Sequence, residues 1–189
     1  MGVIMEIYDE RSRTASATIK AINIVLIVII VILALILVSM SFLWTPMTVN
    51  GPSMNNTLHD GERFILQTCW YSYTYGDIIV FGKINEEKNV IKRVIGLPGD
   101  YIRFSQEEGA WYRNGEKLVE EYVSSGYPEY YMSASYPQIK AALCSETGYL
   151  IEEDKVFVLG DNRENSNDSH VYGSIGKSQI KGKFIFGYN

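Results

Sequence analysis

Between Ala21 and Trp44 the chain reads AINIVLIVIIVILALILVSMSFLW, 24 residues without a charge. Coiled as an α-helix at about 1.5 Å per residue, this run reaches roughly 36 Å, more than the roughly 30 Å of a bilayer's hydrocarbon core. It predicts one membrane-spanning helix. Arg11, Arg13 and Lys20 precede it and no Lys or Arg follows until Arg63, which predicts a cytoplasmic N-terminus and an outside location for everything after Trp44. Trp44 itself would sit at the interface, where amphipathic rings gather. The small-x-small triplet Ser39-Met40-Ser41 raises a removed secretory signal as the competing reading, but the apolar run is longer than a signal's core of about 7–15 residues. The expected organisation is therefore residues 1–20 in the cytoplasm, 21–44 as an uncleaved anchor, and 45–189 as an extracytoplasmic domain with an excursion at about 105–150.

Beyond residue 44 the chain keeps 14 basic and 19 acidic side chains, a balance that argues against a general nucleic-acid binder. Short apolar runs broken by Gly, Pro, Asn and Asp follow one another: Arg63–Gln67, Asp77–Phe81, Val90–Ile95, Tyr101–Phe104, Val156–Leu159 and Lys183–Phe186. They read as strands. With the only long helical pattern in the membrane, the expected class is mainly β, a compact antiparallel domain of folded or barrel-like sheets. Trp111–Leu118 reads as a hairpin, because Asn114-Gly115 supplies the positive φ angles of a tight turn. Ser124–Thr147, rich in Tyr, Ser and Pro with poor periodicity, reads as an excursion from the core sheet. Cys69 and Cys144, 75 positions apart, form no recognisable disulfide framework.

Three stretches carry polar residues that a fold alone does not require. On the strand around Lys92, alternation puts its side chain on the face of Val90 and Val94. An amine there loses hydration when charged; lowering its pKa from about 10.4 toward about 7–8 corresponds to roughly 3–5 kcal/mol and makes a usable base at neutral pH. The bland reading is a strand lysine that snorkels to the edge. Ser53 follows Gly51-Pro52, nine residues after Trp44. That bend either exposes a nucleophile whose own N–H faces a developing oxyanion or is an ordinary turn. Gly160–His170 is dense in hydrogen-bonding groups after an apolar strand, and its bland reading is a polar surface loop. It is no calcium loop, because Arg163 occupies the third ligand position, Ser166 replaces the turn glycine and Tyr172 stands where a bidentate Glu belongs.

Taken together and in this order behind an anchor, these stretches resemble the bacterial type I signal peptidases, in the short single-span form of Gram-positive bacteria. Ser53–Leu58 is similar to the family's nucleophile box, Gly76–Phe81 to the strand box that follows, Lys92–Asp100 to the general-base box and Gly160–Ser169 to the last box. The resemblance implies a membrane-bound serine endopeptidase with Ser53 as nucleophile and Lys92 as general base. It further implies that Ser166 orients the amine, that Asp168 is a structural acid beside the site, and that Gly51 stands where some relatives carry an oxyanion-binding serine. Its substrates would be exported preproteins with small side chains at the first and third positions before the cut. The chemistry calls for no cofactor and no metal. A bacterial cell membrane is implied, and the sequons at Asn55 and Asn167 agree with it, because they fall inside the proposed active-site boxes where glycans would obstruct a substrate. Trp70, Tyr71, Tyr73 and Tyr75 are candidates for a surface that dips into the bilayer, or for packing on the sheet.

Two positions depart from the family pattern. Asn56 stands where Pro is usual, and His170 where Arg is usual. If that arginine pairs with the acid at Asp168, a histidine replaces it only in part at neutral pH. Three rivals stay open: a Ser-His-Asp triad drawing on His59 or His170 with Asp168, a specialist that processes pilins or a narrow set of surface proteins, and a non-catalytic relative that presents precursors to another enzyme.

Overall fold

The computed structural model describes residues 2–82, 88–123, 127 and 131–188. A single helix, α1 (Gly2–Leu43), contains the apolar run. Within it Ala15–Met40 is long and apolar enough to cross a membrane, and none of its residues is buried in the protein. Trp44 belongs to the next element and opens strand β1 (Trp44–Thr48), so the helix ends one residue earlier than the apolar run predicts.

The rest of the chain forms a separate compact unit starting at Trp44. Strands β2 (Arg63–Gln67), β3 (Ile78–Gly82), β4 (Asn89–Gly96), β9 (Lys155–Leu159), β10 (Ile175–Gly176) and β11 (Ile180–Tyr188) join β1 in a seven-stranded sheet, ordered β1-β2-β11-β3-β4-β9-β10. All its pairings are antiparallel. β3 explains why its run is apolar without interruption. Ile78 and Val80 pack with Phe64, Leu66 and Ile91 on one face, while Ile79 and Phe81 pack with Val94, Val156 and Val158 on the other. A strand covered on both faces has no position left for solvent.

A second sheet, β7-β6-β5-β8, is built from β5 (Tyr101–Ser105), β6 (Ala110–Arg113), β7 (Glu116–Lys117) and β8 (Tyr149–Leu150). Asn114 and Gly115, at φ 52° and 85°, make the β6–β7 turn, as that dipeptide predicts. Described residues of the stretch Ser124–Thr147, expected as an excursion from the core sheet, contribute side chains to a core cluster. Of that stretch, residues 124–126 and 128–130 lie outside the described residues. A 3-10 turn (Tyr131–Ala134) and helix α2 (Pro137–Leu143) bring Tyr131, Met132 and Leu143 into the cluster of Ile102, Phe104, Trp111, Phe157 and Leu159. β9 thus joins the two sheets, with Phe157 and Leu159 facing this cluster and Val156 and Val158 facing the other.

Candidate active site

The segment between β1 and β2 folds back on itself: the Val49 N–H donates to the Glu62 carbonyl (2.8 Å) and the Gly61 N–H to the Val49 carbonyl (3.0 Å). Gly51, at φ 91°, takes the left-handed corner that its missing Cβ permits, and its N–H donates to Asp60 Oδ1 (2.7 Å). A tight coil follows, in which Asn55 N–H donates to the Pro52 carbonyl and Leu58 N–H to that of Met54. Met54 is fully buried among Phe64, Val80 and Ile91 and pins the coil to the sheet. Half-buried Ser53 is thereby held at the surface of the sheet beside β4. Asn56 has φ 101°. Proline is locked near about −65° and cannot adopt that conformation, whereas asparagine tolerates positive φ, so the departure from the family pattern at Asn56 follows the backbone.

Lys92 stands opposite Ile79 in the β3–β4 ladder and is 3% exposed. Its Nζ donates to Ser53 Oγ (2.6 Å) and to the Ile91 carbonyl (2.9 Å). β9 pairs with β4 only from Arg93 onward. The same edge of β4 at Asn89–Ile91 therefore carries no strand among the described residues. A groove of about 690 Å³ runs past it, lined by Met47, Phe64, Val80 and Ile91, with Ser53 and Lys92 in its wall. β1 and β4 are not neighbours in the sheet, so the sheet must curl to bring both to one groove.

On leaving β9, the chain turns beneath Ser53. Asn162 N–H donates to the Ser53 carbonyl (3.1 Å) and its side-chain amide to the Pro52 carbonyl (3.1 Å). A Cβ on Gly160 would lie 2.2 Å from Ser166 Oγ and 2.5 Å from the Ser53 carbonyl oxygen, so the Ser166 side chain and the Ser53 backbone close on this glycine from two sides. Ser166 Oγ donates to Asp168 Oδ2 (2.5 Å), which also accepts from the Gly160 N–H (2.9 Å). Asp168 Oδ1 accepts from the His170 N–H (3.1 Å) and meets His170 Nδ1 at 2.7 Å. Burial pushes the Asp168 carboxyl up. The hydrogen bond and charge of His170, with Ser166 and the Gly160 N–H, outweigh that and hold it below the usual carboxylate range.

Several residues that hold this arrangement escape a reading of single positions. Arg93 grips Asp161 through two bonds, Nε to Oδ1 (2.8 Å) and Nη2 to Oδ2 (2.5 Å), and also donates to the Gly76 carbonyl (2.7 Å). Thr57 Oγ1 donates to the same Asp161 carboxylate and Asn56 Nδ2 to the Asp161 carbonyl. One buried carboxylate thus ties the Ser53 coil, β4 and the loop after β9 together. Buried Arg163 pairs with Glu120, reaches Tyr127 and donates through Nε to the Gly160 carbonyl (3.0 Å). A strand buried on both faces that carries Lys92-Arg93 must supply partners for both, and that was the available signal. Asp161→Ala is expected to lower unfolding free energy by about 3–5 kcal/mol, since it strands Arg93 without its carboxylate. Urea unfolding measures this, and a wild-type midpoint would refute the role.

The remaining expected residues fall away from Ser53. His59 is exposed and meets Glu62, and among the described residues Ser53 Oγ bonds to neither histidine. Tyr71 donates to the Ile180 carbonyl, Tyr73 packs on the sheet cluster, and Tyr75 donates to Asp100 beneath Arg113. Trp70 alone of the four stands nearly free of the protein, 90% exposed. Cys69 and Cys144 are both exposed thiols.

Against known families, residues 21–188 match the model of signal peptidase, peptidase S26. The chain belongs to that family. It is 38% identical over 159 residues to signal peptidase I of Bacillus licheniformis, covering 79% of this chain and 80% of that protein. It is 34% identical over 151 residues to signal peptidase IB of Staphylococcus aureus, covering 77% and 78%. A solved signal peptidase I from Enterococcus faecalis aligns with TM-score 0.47 and 29% identity, over 61% of this chain and 98% of that one. The family match starts at Ala21 and so takes in the whole of the apolar run as well as all four boxes.

Proposed function

We propose that this member of the family is a membrane-anchored serine endopeptidase that removes signal peptides from exported preproteins, with Ser53 as nucleophile and Lys92 as general base. The observation that carries the reading is the 2.6 Å contact between Lys92 Nζ and Ser53 Oγ at a lysine with almost no access to water. Burial disfavours the ammonium form. In the neutral amine the contact reverses, with the hydroxyl donating to the nitrogen lone pair.

From that state the Ser53 proton passes to Lys92 as Oγ bonds to the scissile carbonyl carbon. The carbonyl oxygen becomes an oxyanion, and the Ser53 N–H, which bonds no other acceptor among the described residues, is placed to stabilise it. Collapse breaks the C–N bond as the Lys92 ammonium gives its proton to the departing amine, the new N-terminus of the exported protein. A water then loses a proton to Lys92 and attacks the ester on Ser53, which releases the signal peptide and restores the hydroxyl. Ser166 spends its only proton on Asp168, so its lone pairs are free to accept from the Lys92 amine and fix its direction. Gly51 supports this geometry by aiming the coil rather than by touching the reacting atoms.

The edge of β4 at Asn89–Ile91, which carries no strand among the described residues, suits an extended substrate added as a strand. Alternate side chains of such a strand face the same way, so the first and third residues before the cut would both point into the enzyme, and small ones fit closest to Ser53. We place residues 1–20 in the cytoplasm, 21–44 in a bacterial cell membrane and 45–189 outside, as the flanking charges require. The lipid-embedded protein should cleave several unrelated exported preproteins, and Ser53→Ala should abolish cleavage while leaving folding and precursor binding intact. Unchanged processing by Ser53→Ala would refute the reading, and cleavage of pilin precursors alone would favour a specialist.

A further inference from the structure

His170 is buried behind Asp168, on the opposite side of that carboxylate from Ser166, where the mechanism gives it no task. It is 3% exposed, lies in helix α3 (Ser169–Tyr172), and stacks on Tyr131 with ring centroids 4.4 Å apart and planes 17° apart. Its Nδ1 meets Asp168 Oδ1, the other oxygen of that carboxylate takes the Ser166 proton, and Ser166 Oγ lies at Gly160 beside the Ser53 backbone carbonyl. We propose that His170 is a positioning residue whose charge, acting through Asp168 and Ser166, sets the balance between the amine and ammonium forms of Lys92. The inference rests on the reading of Lys92 as base.

The argument is one of charge rather than shape. A neutral imidazole with its proton on Nδ1 donates to Asp168 as well as an imidazolium does, so the hydrogen-bond frame persists in both states. What changes is compensation of the buried carboxylate. With a neutral His170, the Asp168 charge favours an ammonium at Lys92; with a cation at 170 that pull is offset and the amine form gains. Among the described residues no other carboxylate is bonded to the His170 ring. Tyr131 presents a buried phenol that burial keeps protonated, and behind it Arg163 and Glu120 cancel each other while Tyr127 bonds to them. Helix α2 and strand β9, which also pack on α3, carry Lys140 and Lys155 as their only charged side chains.

The test is the pH dependence of kcat/KM in the lipid-embedded enzyme for wild type, His170→Arg, His170→Gln and Lys92→Ala. A fixed cation in His170→Arg should move the acid limb to lower pH by about half to one unit, and a neutral donor in His170→Gln should move it up. KM should hold still, because His170 does not line the groove. Folded 170 variants whose limbs superimpose on wild type overturn the inference and leave the base assignment standing; an active Lys92→Ala with the same limb overturns the base assignment itself. Should both 170 variants unfold, nitrogen NMR of the wild type decides, because His59 and His170 are its only two histidines. Ring shifts of His170 that change over the acid limb support the coupling, and static shifts overturn it.

Discussion

Lys92→Ala is expected to cut the rate of preprotein cleavage by about 10²–10⁴-fold or more, the range removed with a positioned base, without unfolding the domain. The wild-type rate should rise with pH through an apparent pKa well below the roughly 10.4 of a free lysine. The sign follows from the chemistry: only the amine form accepts the Ser53 proton, so activity is lost as pH falls and the nitrogen is charged. Burial is expected to bring that limb down from the alkaline range, since the 3% exposure leaves an ammonium little water. Lys92→Met separates packing from chemistry, because the thioether fills the stem's space and carries no proton acceptor of comparable strength. Both variants should be equally inactive while Met keeps more of the wild-type stability. An active Lys92→Met, or a wild-type limb near pH 10, would show that the amine is not the base.

The same measurement distinguishes the triad. Asp168 and His170 do form a close pair, as their spacing predicts, but Ser53 Oγ meets Lys92 instead. A doubly substituted protein lacking both imidazoles should therefore retain cleavage that Lys92→Met lacks.

How far the sequence discloses this site depends on the range of the interaction. The alternating strands at Arg63–Gln67 and Tyr101–Ser105 appear where the apolar period puts them, with Phe64, Leu66, Ile102 and Phe104 inward. The Asn114-Gly115 turn is equally local. β1 was hidden because Pro46 interrupts its pattern, and it is tolerated only because β1 is an edge strand, paired with β2 alone. The core role of Tyr131, Met132 and Leu143 was hidden because short helices packed on a small sheet show no long period. Ser53 and Lys92 were recognisable by type and by family resemblance, but their contact spans 39 positions. It is made by a sheet order that places β11 between β2 and β3, and no local pattern encodes that order. Asp161 shows the limit most sharply. As a residue it is one acid in a polar loop; folded, it holds Arg93, Thr57 and thereby the coil that presents Ser53.

Gly160 is a position where a single methyl group should damage the site itself. An alanine Cβ there would stand 2.5 Å from the Ser53 carbonyl oxygen, a backbone atom that no rotamer change removes, and 2.2 Å from Ser166 Oγ. Nor can Gly160 itself slide away, because its N–H is held by Asp168 and its carbonyl by Arg163. Relief must come from pushing the Ser53 coil and the Ser166 loop apart, which separates Ser53 from the proposed support of Lys92. Gly160→Ala is therefore expected to lose about 2–4 kcal/mol of stability from overpacking and, in the fraction that folds, at least about 10²-fold in kcat, the cost of displacing reacting groups by about an ångström. Gly96→Ala supplies the contrast. Its Cβ would meet Ile151 Cδ1 at 2.4 Å and Ile102 Cδ1 at 2.8 Å, the tips of side chains in the other cluster, so it should lower stability while leaving kcat per folded molecule near wild type. Thermal unfolding and active-site titration of both variants measure the two effects separately. A Gly160→Ala protein with wild-type turnover would mean that the Ser53 backbone and the Ser166 side chain need not close on a bare glycine.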